Sequence, residues 1–187
     1  MNQKLLKIIS ILLFTFYING CSSIKYYTLG NTSNIATQQT YTEAIGIEKI
    51  EIPKYLKDNS LVKQVTPYQV ERIKDANWLI PMQKHLTNVL ISYLQKSLNN
   101  PNINLYPWES DKKITKKVSV KIKRFIAYNN GVTLEGSYQI NNLKTKRKET
   151  KLFTKQVKTG GSTEEMMKAM EEAYFLLASE LSYKISQ

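Results

Sequence analysis

The chain has 187 residues, of which 42% are hydrophobic, and it contains one cysteine and one histidine. Lysine and arginine number 27 against 15 acidic residues, which gives a formal net charge of +12 at pH 7. The length favours a single domain with a full hydrophobic core, and a lone cysteine excludes an intramolecular disulfide. A lone histidine argues against a His-rich metal cluster and against a Ser-His-acid triad.

The first twenty residues have the pattern of a secretory signal peptide. Lys4 and Lys7 come before an apolar run over residues 8–18, and no acidic residue interrupts them. A helix over this run would reach only about 17 Å, roughly half of the hydrocarbon core of a bilayer. A cleaved export signal is therefore a better interpretation than a transmembrane anchor.

The only cysteine follows that run in the order Ile18-Asn19-Gly20-Cys21. These residues resemble the bacterial lipobox, which has a branched aliphatic residue at −3, a small residue at −1 and cysteine after the cleavage site. We expect cleavage between Gly20 and Cys21 and covalent lipid on the Cys21 thiol, because several acyl chains together anchor a protein stably. The alternative is an ordinary signal peptide with a chance cysteine or a buried thiol.

Export affects two expectations: the membrane to which the protein is sorted and the partner of its positive charge. Serines follow the cysteine, and the absence of aspartate there is typical of lipoproteins forwarded to the outer membrane. A basic protein outside the cytosol is not expected to bind nucleic acid, so an acidic protein or anionic lipid headgroups are the expected partners.

Strand patterns and loops fill the next part of the chain. Residues 30–42 are small and polar and predict a loop or tether, so we divide the chain into a signal peptide (1–20), a lipidated N-terminus with a first strand and tether (21–42), and one domain (43–187). The predicted short strands cover 25–29, 45–52 with a phase slip, 60–65 and 68–73 as a hairpin around Thr66-Pro67, and 103–106.

Two amphipathic helices of about twenty residues are predicted. The first extends from Trp78 to Asn99 with Pro81 in its first turn, and the second begins at a capping box formed by Ser162 and Glu165. Between them, residues 117–123 and 132–140 alternate as long strands, and 144–158 form a third strand of unclear register. The fold class is therefore α/β, a two-layer sandwich with a mainly antiparallel sheet and both helices on one face.

Positive charge is concentrated on two of these strands. Residues 112–124 carry seven cations with no acid, and residues 144–158 carry seven more. A solvated sheet face explains this pattern, and so does a surface that binds an anionic partner. The candidate surface consists of Lys117, Lys121, Lys123, Arg124, Lys151 and Lys155.

Catalytic patterns are weak. His85 lies beside the apolar stripe of the first helix and is interpreted as a partly exposed structural residue. Gly160-Gly161 precedes a helix without the lysine of a phosphate-binding loop. Trp78 and the corner Tyr106-Pro107-Trp108 are interpreted as core-closing aromatics. We expect no enzyme activity, no metal site and no cofactor other than the lipid on Cys21.

The order of short motifs resembles one known family. K-Y-Y-T-L follows the lipobox, I-E-I-P-K-Y-L covers residues 50–56, Trp78 opens a helix, Y-P-W covers residues 106–108, and an amphipathic helix ends the chain. This order is similar to that of the PqiC-type, or YmbA-like, ABC-transport auxiliary lipoproteins.

That resemblance implies a non-enzymatic part of an MCE-type lipid transport system, anchored in the outer membrane on its periplasmic face. The implied partners are an MCE-domain protein that spans the periplasm, a membrane permease and phospholipid, and the implied assembly is a ring of copies. Two alternatives stay open: a lipoprotein of an assembly or secretion system, and a periplasmic solute-binding lipoprotein, which the lack of two lobes disfavours.

Overall fold

A computed structural model describes residues 23–107 and 113–187. Within these ranges the chain forms eight strands and two helices, and short 3-10 turns cover Thr32–Asn34 and Lys54–Leu56. In chain order the elements are β1 Lys25–Tyr27, β2 Ile45–Glu48, β3 Ser60–Thr66, β4 Gln69–Trp78, α1 Met82–Ser97, β5 Ile103–Tyr106, β6 Lys116–Tyr128, β7 Gly131–Asn142, β8 Arg147–Lys158 and α2 Thr163–Ser186.

Strand β6 is the centre of the sheet. Strand β7 pairs along its whole length in antiparallel register, and β8 pairs with β7 in the same way. The other edge of β6 is shared: β2 pairs near Lys116–Val118, and β3 pairs near Tyr128. Strand β4 pairs with β3 as a hairpin, and β1 pairs with the other edge of β4. Strand β5 pairs with the other edge of β2. The predicted mainly antiparallel sheet is confirmed, although four of its pairings are parallel and were not predicted.

Alternation along β7 places one face in the core. Val132, Leu134, Tyr138 and Ile140 are buried, as their period of two predicts. Gly136 shares this face, and a Cβ added there would lie 2.1 Å from the carbonyl oxygen of Lys121. The same Cβ would lie 2.8 Å from the Phe153 ring, so this position has no room for a side chain.

Both helices pack on that same face, which confirms the two-layer sandwich. The Tyr174 hydroxyl of α2 donates to the carbonyl of Leu86 in α1 over 2.7 Å, and the hydroxyls of Ser97 and Ser182 lie 2.6 Å apart. The capping box at Ser162 is present as predicted, since its side chain and that of Glu165 each bond the other's backbone N–H.

The predicted start of the first helix is wrong. Helix α1 begins at Met82, with Pro81 as its N-cap residue, and Trp78 is the last residue of strand β4. Trp78 is 4% exposed, so its predicted role in the core is confirmed. The strand continues to Trp78 because β1 pairs with its last three residues, Ala76, Asn77 and Trp78.

Residues 30–42 form a loop, as expected, but they are not a free tether. The backbone N–H groups of Gln38 and Gln39 donate to the carbonyl of Ser97, and that of Tyr41 donates to Leu98. The last carbonyls of a helix have no partner within the helix, so this segment satisfies the end of α1. We call it the strap, because it is fixed across the helical layer.

Candidate functional site

The candidate basic surface is divided between the two faces of the sheet. In the β6–β7–β8 register, Lys121 is opposite Ser137, which is opposite Leu152, and these side chains project away from the helices. Lys151 is opposite Tyr138 and Lys155 is opposite Leu134, so both lysines project towards helix α2. The six cations therefore do not form one surface, because the pairing of β8 with β7, which the sequence left unclear, turns Lys151 and Lys155 to the helical face.

On the open face, the cations of β6 have acidic neighbours. Lys117 forms an ion pair with Glu48 at 3.1 Å, and its ammonium lies 5.2 Å from the centroid of the Tyr106 ring. Lys121 pairs with Glu51 at 3.1 Å, with both side chains more than half exposed. Exposed pairs of this kind contribute little to stability, but they lower the local positive field.

Lys123 and Arg124 lie at a bulge in β6. The pairing with β7 skips Lys123, so this lysine is the extra residue and its side chain is exposed. Arg124 stands opposite Glu135 in register, and its guanidinium donates to the Gln64 side-chain oxygen over 2.7 Å. The bulge therefore presents Lys123 to solvent and fixes Arg124 between the hairpin and β7.

On the helical face, one carboxylate gathers the β8 lysines. Glu180 of α2 lies 2.7 Å from the Lys155 ammonium and 3.3 Å from that of Lys151, and it accepts a hydrogen bond from the Tyr138 hydroxyl over 2.8 Å. Burial raises the pKa of Glu180, but the bonds from Lys155 and Tyr138 outweigh it and hold the pKa below its usual value. Lys151 and Lys155 therefore attach α2 to the sheet.

Sequence analysis missed Glu180, which we name the β8 clamp residue. It lies in the predicted second helix, between the apolar residues Leu177 and Leu181, and its position in the sequence identifies no partner for its charge. Its role depends on which side chains of β8 face the helix. That orientation was the part of the register that the sequence left unclear.

A second ionic cluster lies at the start of β6. The Glu43 carboxylate accepts hydrogen bonds from Lys144 and from the Tyr41 hydroxyl, and these bonds, Lys144 first, lower the pKa of Glu43 to about 2. Lys116 lies 4.9 Å from the Tyr41 ring and donates to the carbonyl of Ile185, and burial lowers its pKa. This cluster ties the strap, the sheet and the end of α2 together.

His85 is structural, as predicted, but it is buried rather than partly exposed. Its Nε2 lies 3.0 Å from the backbone nitrogen of Leu29, 2.8 Å from the carbonyl oxygen of Leu29 and 3.1 Å from the Thr28 hydroxyl. The imidazole therefore fixes the chain between β1 and the strap to helix α1.

Several predicted positions lie outside the described residues. Gly20 and Cys21 are among them, and so is Trp108, so lipidation, signal cleavage and the role of that tryptophan stay predictions. Within the described ranges, no group of three or more His, Cys, Asp or Glu side chains is placed to hold a metal ion. No helix in those ranges is both long and apolar enough to cross a membrane.

Comparison with known sequences decides the family. The sequence model of the ABC-type transport auxiliary lipoprotein component matches residues 27–182. The chain belongs to this family. The recognition from the motif order is therefore confirmed, because this is the PqiC- and YmbA-type lipoprotein family. Among curated proteins, no sequence matches this auxiliary lipoprotein.

Two solved structures share the fold of the auxiliary lipoprotein. The crystal structure of an uncharacterized protein is 20% identical with a TM-score of 0.72, and the alignment covers 88% of this chain and 99% of the other. Protein XCC0632 from Xanthomonas campestris, of family DUF330, is 14% identical with a TM-score of 0.66, and 86% and 90% of the two chains are covered. At these identities the likeness shows the fold alone.

The described residues of the auxiliary lipoprotein line several open grooves. Five grooves among the described residues have volumes of about 210 to 550 Å³, and all are open to solvent. One of about 210 Å³ lies on the open face beside Lys121 and is lined by Ser119, Gln139 and Thr150. Four of these open grooves are lined mainly by polar surface and the one beside Leu105 is mainly apolar, whereas small-molecule sites are usually more enclosed and mostly apolar.

Proposed function

We propose that this auxiliary lipoprotein is anchored by a lipid on Cys21 to the periplasmic face of the outer membrane. There it docks the periplasm-spanning MCE protein of an intermembrane lipid transport system, whose ABC permease is a further partner, and it catalyses no reaction. The observation that carries the proposal is the family match over residues 27–182, which extends from β1 into the last turns of α2. The match begins six residues after Cys21.

A docking role is supported by the open face of the sheet. Both helices pack on the other face of β6, β7 and β8, so neither helix covers the open face. The exposed residues there are mostly polar or basic, with Leu152 as an apolar exception, so contact with an acidic partner would be reversible and sensitive to salt. Of the six candidate cations, Lys117, Lys121, Lys123 and Arg124 remain in this proposal.

A ring of copies is part of the proposal. The five grooves described above are open to solvent, so none of them by itself would surround a phospholipid. Several copies in closed symmetry would enclose one. Phospholipid would then pass through the assembly and not through the sandwich.

The experiment is affinity purification of the tagged full chain from detergent-solubilised membranes at low and high salt. We expect the MCE protein and its permease to copurify at about 0.1 M salt and to be lost near 1 M, since the Debye length falls from about 10 Å to about 3 Å. The double variant Lys121→Glu with Lys123→Glu should lose the partner. The matched control reverses Lys84 and Lys168, which are exposed on the two helices.

Each part of the proposal has its own readout. Metabolic labelling with an alkyne fatty acid should tag the wild-type chain and miss Cys21→Ser, and equal labelling of the two would refute the anchor. Copurification of secretion or assembly proteins in place of an MCE protein would refute lipid transport and favour the alternative. If salt and charge reversal on β6 leave MCE binding unchanged, the open face is not the docking surface.

A further inference from the structure

Strand β1 places an apolar patch directly beside the predicted anchor. Ile24 is 52% exposed and Tyr26 61%, and Leu79, whose N–H donates to the carbonyl of Tyr27, is 59% exposed. Tyr26 is opposite Asn77, while its neighbours Lys25 and Tyr27 are opposite the buried Ala76 and Trp78, so the Tyr26 ring projects away from the core. We call Ile24, Tyr26 and Leu79 the anchor-side patch.

The covalent chain limits the distance between this patch and the lipid. Three residues separate Cys21 from Lys25, and a fully extended chain spans at most about 3.6 Å per residue, so β1 begins within about 14 Å of Cys21. His85 fixes Leu29, two residues after β1, to helix α1, and only residues 22–24 separate the expected anchor from β1. A lipid on Cys21 therefore holds this edge of the sheet at the membrane surface.

The chemistry of the patch matches an interface between headgroups and acyl chains. Tyrosine combines an apolar ring with a hydroxyl that stays hydrated, and it is enriched at membrane interfaces. Lys25 is exposed between Ile24 and Tyr26 and supplies a cation for anionic headgroups. Tyr68 is also exposed, but it lies beyond the opposite end of β4, about 30 Å along the strand.

We propose that the anchor-side patch of Ile24, Tyr26 and Leu79 inserts into the interface of the bilayer that holds Cys21, so that the sandwich stands on its β1 edge. This inference rests on the proposed lipidation of Cys21 and adds the orientation of the domain. The strand order β1-β4-β3-β6-β7-β8 then directs β8 away from the membrane, five strand spacings or about 24 Å from β1. The open face and the helical face both stay accessible to a protein partner.

The test uses the full chain purified from membranes, with a thiol introduced at Leu79 or, as control, at Leu152. Leu152 is 73% exposed on the open face of β8, at the opposite edge of the sheet. Each thiol carries a nitrobenzoxadiazole fluorophore, and the protein is reconstituted in vesicles of phosphatidylethanolamine and phosphatidylglycerol with nitroxide-labelled acyl chains. We expect quenching at position 79 to exceed that at position 152 about threefold or more, since interfacial segments lie about 5–10 Å into the headgroup and acyl boundary.

Two results separate this inference from the anchor itself. The wild-type chain should bind vesicles and take no thiol label, because a lipidated Cys21 has no free thiol, and labelling of the wild type would refute lipidation. Equal quenching at positions 79 and 152 in vesicle-bound protein would overturn the orientation while leaving the anchor intact. A Tyr26→Asp change should reduce quenching at position 79 to the control level without releasing the protein, whereas Leu143→Asp, on the exposed loop after β7, should change neither.

Discussion

Reversing the charge of Lys155 tests whether the β8 lysines serve the fold or a partner. In the Lys155→Glu variant, a second carboxylate replaces the ammonium that lies 2.7 Å from Glu180. The two side chains are 23% and 21% exposed, so water screens this pair less than the exposed pairs of the open face. We expect the variant to unfold more easily than the wild type.

The magnitude follows from Coulomb's law. Unit charges about 4 Å apart attract by about 4 kcal/mol at an effective dielectric constant near 20. Desolvation and lost side-chain freedom offset about half of this in a partly exposed pair, which leaves about 2 kcal/mol to lose when the pair is removed. Repulsion between the new carboxylate and Glu180 adds to the loss, so we expect Lys155→Glu to cost about 2–4 kcal/mol.

Urea unfolding followed by circular dichroism measures this difference, and Lys123→Glu provides the control. Lys123 is the exposed residue of the β6 bulge, and a surface substitution of this kind usually changes stability by less than about 0.5 kcal/mol. If the free energy of unfolding of Lys155→Glu equals that of Lys123→Glu, the ion pairs of Glu180 do not stabilise the domain. The β8 lysines would then return to the candidate partner surface.

Three further predictions concern the core and the second ionic cluster. Trp78→Ala should lower the free energy of unfolding by about 3–5 kcal/mol, because the indole ring is buried. Trp78→Phe should cost much less, because Nε1 of Trp78 is buried without a hydrogen-bond partner among the described residues. Equal losses of the two variants in urea unfolding would contradict this. Gly136→Ala should lower the free energy of unfolding by about 1–3 kcal/mol or more, because its Cβ would lie 2.1 Å from the Lys121 carbonyl oxygen. An unchanged urea midpoint would show that the strands can move apart without loss of stability. Since the pKa of Glu43 is lowered to about 2, its bonds stabilise the fold above its unfolded pKa of about 4.3, and this stabilisation is lost as the pH falls towards 2. Glu43→Gln should thus be less stable than wild type at pH 7, with a difference that shrinks towards pH 2; a constant difference across unfolding curves at both pH values would refute it.

The sequence predicted those parts of the fold that repeat an apolar period over many residues. Strand β7 alternates five core positions without a break, and α2 begins at a capping box, so both their existence and their orientation were predictable. Strand β8 has no such period, because Leu152 and Phe153 are adjacent and only Phe153 is buried. Its register is set by pairing with β7, which the residues of β8 alone do not encode.

The strap was interpreted as a tether for a related reason. Three of its contacts with the end of α1 use backbone N–H groups, which every residue except proline carries, and its small polar side chains follow no apolar period. The extension of β4 to Trp78 likewise depends on a parallel partner, β1, that is distant in sequence. Pairings of this kind are decided by the tertiary structure, and local patterns do not predict them.

Lysines on β8 have a further physical consequence for any ring of copies. Among the described strands β8 pairs only with β7, so its outer edge presents a row of backbone groups over twelve residues. Lysines along such an edge oppose pairing with a second edge of the same charge. Arg147, Lys148 and Lys158 have no acidic partner in the ion pairs of the described residues, so two β8 edges would repel. In the proposed ring, contacts that pair one β8 edge with another are therefore not expected.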